Sequence, residues 1–140
     1  MANDNLPSSL VPLVAIELPY FPQITADVTD AAVKKIVPFK FRVHRVTMAA
    51  RAIGGGTPFT DVDVDIHLGT NKIVDAAPIV DSSAIAGSGA GLDCTLTTTT
   101  SYLVGASGSF LHMKLINVTG GASTPTLDGL VATVYVERLP

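Results

Sequence analysis

Tryptophan is missing from this chain, and cysteine occurs once, at Cys94. One cysteine cannot close an internal disulfide, so nothing marks an oxidising compartment and the core alone must hold the fold. Cys94 shares strand parity with Leu92 and Leu96 and reads as a small core residue, not a nucleophile. Aromatic residues make up 6% of the sequence, and this scarcity of flat stacking platforms weighs against a carbohydrate-binding module. Charge is scarce too: 15% of residues are charged, against about 25% in an average soluble domain. So neutral a surface favours an oligomer or an assembly component. The net charge is −3, without the positive excess that non-specific nucleic-acid binding needs. No apolar run approaches the roughly 18 residues of a membrane-spanning helix. The opening stretch Met1 to Ser9 carries no positive n-region, so the chain reads as lacking a signal peptide and as synthesised in the cytoplasm.

Recognisable catalytic chemistry is equally thin. There is no Gly-x-Ser-x-Gly. The run Gly87-Ser-Gly-Ala-Gly91 lacks the Lys-Ser/Thr ending and the following helix of a phosphate loop. His44, His67 and His112 lie on separate segments with no His-x-His pair, so each reads as a solvated or interface side chain. The expectation is a protein that is not an enzyme and uses no cofactor or metal.

What the chain does have is alternation. In Thr60-Asp61-Val62-Asp63-Val64-Asp65-Ile66-His67-Leu68 polar and apolar residues alternate, which makes a strand with one charged and one oily face. A half-buried strand of this kind belongs to an antiparallel all-β domain. Phe39, Phe41 and Val43 alternate with Lys40, Arg42 and His44, and then Val46 and Met48 take the apolar positions. The parity change predicts a β-bulge near His44–Arg45. Gly54-Gly-Gly-Thr-Pro58 separates these two runs, so 39–51 and 60–68 are expected to form a hairpin. Residues 31–37 read as a short strand, with a short helix over 28–36 as the alternative. A Thr-rich strand is expected over 92–98, a central strand over 110–118 and a closing strand over 129–138.

With 140 residues the chain fits one domain, large enough to bury roughly 68% of its unfolded surface. Residues 1–22 read as an extended N-terminal arm, in which Pro12 confines 10–18 to a sheet edge, and 23–140 as a single β domain. About eight strands with turns at even intervals suggest a sandwich, a jelly roll or a small barrel.

The charges are unevenly placed. Lys34, Lys35, Lys40, Arg42, Arg45 and Arg51 fall in a stretch, 31–51, that holds no acid. If 39–51 pairs with 60–68, these cations face Asp61, Asp63 and Asp65, and cross-strand pairs of opposite charge contribute roughly 0.2–1 kcal/mol each. The second reading is a subunit interface, with Lys40, Arg42, Arg45, Arg51, Asp61, Asp63 and Asp65 as its candidate residues. Calcium is a third possibility for the aspartates. But i and i+2 positions on a straight strand lie roughly 6.6–6.8 Å apart, which does not suit three carboxylates to one ion.

Three stretches together resemble a known family: Ile36-Val-Pro-Phe-Lys-Phe-Arg-Val-His-Arg-Val-Thr-Met48, Thr60-Asp-Val-Asp-Val-Asp-Ile-His-Leu-Gly-Thr-Asn-Lys-Ile73 and Leu130-Val-Ala-Thr-Val-Tyr-Val-Glu137. They are similar to the small jelly-roll decoration, or cement, proteins of tailed-bacteriophage heads and the related head-fibre bases, over roughly residues 32–139. The resemblance is one of strand and loop pattern, without a residue signature. It implies an antiparallel β-sandwich of jelly-roll type. It also implies a homotrimer on the capsid exterior that binds the major capsid protein and braces neighbouring subunits, with no nucleic-acid or membrane partner. The rival expectation is a virion binding module, a head-fibre or tail adaptor that could take a host-surface glycan.

Overall fold

Alternating apolar residues on four long strands build the molecule. In the computed structural model the residues described are 11–19, 21–24, 34–49, 52–54, 62–75, 79–80, 92–116 and 126–140. They form β1 (Leu13–Glu17), β2 (Phe21–Ile24), β3 (Lys34–Ile36), β4 (Phe41–Ala49), β5 (Ala52–Gly54) and β6 (Val62–Leu68). Then follow β7 (Asn71–Lys72), β8 (Ile79–Val80), β9 (Leu92–Asp93), β10 (Val104–Gly105), β11 (Phe110–Ile116) and β12 (Thr126–Arg138). One 3-10 turn, Thr100–Leu103, precedes β10.

The strands make two antiparallel sheets. The first runs β1-β12-β4-β10 and the second β3-β11-β6-β7, with β2, β5, β8 and β9 as short additions. The pairing is nested. Among the eight strands of these two paths, the first pairs with the last (β1 with β12) and the second with the second-last (β3 with β11). The third pairs with the third-last (β4 with β10), and the middle two, β6 and β7, pair with each other. Two further ladders, β12 on β4 and β11 on β6, join these pairs side by side.

The inner faces meet in one core. Phe41, Val43, Val46 and Met48 of β4 and Leu130, Ala132, Val134 and Val136 of β12 face Val64, Ile66 and Leu68 of β6 and Leu111, Met113 and Leu115 of β11. Fully burying one such side chain contributes about 1.5–3 kcal/mol, so this alternation is the main force holding the sheets together. The expected bulge is present. Arg45 pairs with Tyr135 and Val43 with Val136, which leaves His44 without an opposite residue. His44 and Arg45 are therefore exposed in succession, and Val46 and Met48 return to the core. Near its start β12 bends at Gly129, whose φ of 68° a side chain would oppose. Ahead of the bend, Leu127 and Asp128 pair with both β2 and β5.

Two expectations are corrected, the hairpin and the extent of the 92–98 strand. The hairpin between 39–51 and 60–68 is not made: β4 lies in the first sheet and β6 in the second. Both runs satisfy their ladders elsewhere, β4 on β12 and β6 on β11, because the chain crosses from one sheet to the other between them. The 92–98 strand reduces to Leu92–Asp93 and an isolated bridge from Leu96 to Val74. The short strand expected over 31–37 is Lys34–Ile36. The segment 1–22 contains β1, which lies along β12, with Ile16 and Leu18 buried in the core. Residues 1–10 lie outside the described residues.

Candidate functional site

The outward faces of the two sheets carry the polar chemistry. On the first, Arg45 and His44 of β4 have acidic partners within the chain. The Arg45 guanidinium donates Nε–H to Asp93 Oδ1 at 2.6 Å and Nη2–H to Asp93 Oδ2 at 2.9 Å. It also lies 5.6 Å over the Tyr135 ring. This two-pronged hydrogen bond holds the Asp93 carboxyl below its ordinary range. Because both groups are exposed, the pair is screened by solvent and salt. His44 Nε2 lies 2.8 Å from Glu137 Oε2. Lys40 and Arg42 are exposed, and Arg42 sits opposite Glu137 and Val104 in register.

The acidic strand is on the other side of the sandwich. Asp65 is opposite Lys114 of β11, and its Oδ1 receives an ionic contact of 2.8 Å from the Lys72 ammonium. Asp63 is placed by its backbone opposite Ile116 and Ile79. Arg51 and Asp61 lie outside the described residues. The five described candidate interface residues are divided between the two sides of the sandwich. Arg42 and Arg45 belong to the first sheet, with Lys40 immediately before β4, Asp63 and Asp65 belong to the second, and the described partners of Arg45 and Asp65 are Asp93 and Lys72.

The convergent group on the second sheet was not foreseen. Lys34 on β3 is opposite His112 on β11, His112 is opposite His67 on β6, and His67 is opposite Lys72 on β7. One register row thus crosses all four strands as Lys-His-His-Lys. The two imidazoles stack with centroids 5.1 Å apart and planes 17° from parallel. Phe110 packs on His112 at 5.5 Å, and the Lys34 ammonium sits 4.3 Å over the Phe110 ring. His112 is only 3% exposed. None of the four ring nitrogens has a hydrogen-bond partner. The solvated alternative expected for the histidines is corrected for this pair: β6 and β11 are neighbours, and their polar parities meet. Burial, followed by the neighbouring His67, Lys114 and Lys34, pushes the His112 imidazole down to about 4. Burial and then Lys114 lower His67, with the Thr70 backbone and then Asp65 acting in the opposite sense. Both rings are therefore neutral at neutral pH.

Cys94 is partly buried against the core, as its parity implied. Burial and then Asp93 push its thiol up to about 11, so about 0.1% is thiolate at pH 8. Native protein at pH 8 is expected to react with a chromogenic disulfide reagent only on unfolding. Complete labelling within the mixing time in the absence of denaturant would contradict this placement.

His67 and His112 could hold a metal ion only with further ligands. Among the described residues, no group of three or more His, Cys, Asp or Glu is arranged to do so.

No family model matches the chain, and no curated protein matches it. Among solved structures it is similar to a chain of a "Cyanophage Pam1 capsid asymmetric unit", with a TM-score of 0.51 and 13% identity. The likeness spans 96% of this chain and 99% of that one. At this identity it is a likeness of fold, carried end to end by an all-β chain of nearly the same length.

Proposed function

We propose that this chain is a structural virion protein, one that decorates the outer surface of a phage head and steadies contacts between capsid subunits. The observation that carries the proposal is the end-to-end fold likeness to a chain of a phage capsid asymmetric unit. The nested pairing adds to it. A hairpin of eight strands, paired first to last and rolled so that alternate pairs fall in two sheets, is a jelly roll, an architecture common in capsid proteins. We read the sandwich as that fold. Exposed apolar side chains sit on strands at sheet edges: Leu13 and Val14 on β1, Ile36 on β3 and Val104 on β10. Edge strands with apolar side chains are where another chain adds contacts most readily. The partners in this reading are the major capsid protein and two further copies of the chain. Its candidate interface residues remain Lys40, Arg42, Arg45, Arg51, Asp61, Asp63 and Asp65. Segment 1–22 would supply an arm whose first residues order against a neighbour, gaining contacts that offset the lost chain entropy.

The test uses particles of the phage whose genome encodes the chain. Quantitative mass spectrometry of purified particles is expected to find it in fixed proportion to the major capsid protein. Heads made without it are expected to bind the purified chain saturably and to resist heating better once it is bound. A chain lacking residues 1–9 is expected to bind those heads more weakly while keeping its own melting temperature. Absence of the chain from purified particles would overturn the proposal. Binding to glycans but not to heads would favour the adaptor reading.

A further inference from the structure

We infer that the cross-strand row Lys34–His112–His67–Lys72 is a proton-triggered release for the second sheet. The geometry supplies the device. Four side chains directly opposite one another share one face across β3, β11, β6 and β7. With both rings neutral, two lysines flank an uncharged, stacked and buried pair, and the row is electrostatically tolerable. Protonation turns it into four adjacent cations, and like charges directly opposite on a sheet are destabilising. The rings cannot escape that repulsion cheaply. They are stacked at 5.1 Å, their nitrogens are shielded from solvent and unpartnered, and the Thr70 backbone and Asp65, which favour a charged His67, have no counterpart at His112.

Every charged group described on this face bears on the outcome. Lys34 and Lys72 flank the row, and Lys114 of β11 stands one row away, opposite Asp65 of β6. Asp65 is the one described carboxylate near the pair, with Oδ2 3.9 Å from His67 Nε2. It already contacts Lys72 at 2.8 Å. Asp65 therefore offsets protonation of His67 in part, which leaves His112 as the sensitive member. The ladder that opens is β11 on β6, the central pairing of the sheet.

The sign follows from proton linkage. A buried neutral imidazole binds its proton less readily when folded than when unfolded. Between the unfolded value near 6.5 and the folded value of about 4, the unfolded chain therefore holds more protons. The stability is fully present above about pH 6.5, falls as pH drops through this window, and falls no further from this source below about pH 4. The inference concerns the chain by itself and does not depend on its partners.

The test is thermal unfolding of the full chain, followed by far-ultraviolet circular dichroism at pH 7.5, 6, 5 and 4. The wild type is compared with the double substitution His67→Gln, His112→Gln, which cannot charge. The wild-type midpoint is expected to fall progressively below pH 6.5, with at least half of that fall abolished in the variant. The same pH dependence in both would overturn the inference. Should the variant fail to fold, proton NMR of the native chain decides. The His112 ring proton is expected to titrate well below pH 5.5, and a titration near 6.5 would overturn the inference.

Discussion

Phe41→Ala is expected to destabilise the protein by about 3–5 kcal/mol, the range for removing a fully buried aromatic ring. Phe41 has no exposed surface and, among the described residues, is the largest side chain that the core encloses completely. It opens β4 where three strands meet, opposite Gly105 of β10 on one side and Arg138 of β12 on the other. Phe39 meets its ring edge-on at 6.4 Å and 82°, a favourable aromatic geometry that truncation also removes. Close-packed backbone on both sides leaves little freedom to collapse into the cavity. Small domains have only about 5–15 kcal/mol of total stability, so the loss would be about a fifth of it or more. Urea unfolding checks this: the midpoint should drop steeply while the slope of the transition stays unchanged. A shift equivalent to under about 1 kcal/mol would show that the ring does not fill this position.

Gly105→Ala is expected to fail from the opposite cause. Gly105 is the residue over which the Phe41 ring lies. A Cβ built on it would stand 2.5 Å from Phe41 Cε1 and 3.2 Å from Cδ1. Neither side can yield easily, because the ring is enclosed and Gly105 is hydrogen-bonded strand backbone opposite Phe41 itself. Overpacking of this kind costs about 1–3 kcal/mol, and the depth of the overlap argues for the upper end. The cause can be isolated with a double-mutant cycle. In a Phe41→Leu background, which shortens the side chain, the same alanine should cost less, with a coupling of about 0.5–3 kcal/mol. Strictly additive effects would mean that the glycine is required for some reason other than the ring.

The same pair shows how far the sequence could be read. Phe41 was legible as a core residue because it alternates with Lys40 and Arg42. The demand on Gly105 was not legible, because nothing local records that a ring from a strand more than sixty positions earlier lies over it. The bulge at His44 was legible for the first kind of reason: a change in apolar parity along one strand is written in that strand alone. The partner of that strand was not. Pairing 39–51 with 60–68 was the economical guess for neighbours in the chain, and the nested pairing set it aside in favour of β12. The error carried into the site. It placed the arginines of β4 opposite the aspartates of β6, whereas the described partners are Asp93 for Arg45 and Lys72 for Asp65. It also left His67 and His112 as isolated residues.

The sequence by itself determined where the four long strands run and which face of each meets the core, because a side-chain period of two is a property of consecutive residues. Which strand lies beside which, and in what register, only the tertiary structure decided. Backbone hydrogen bonds are chemically alike for every partner, so selection falls to the packing of the whole core. The Lys-His-His-Lys row is a product of that register, and a slip of one residue in β6 or β11 would turn the histidines to opposite faces of the sheet.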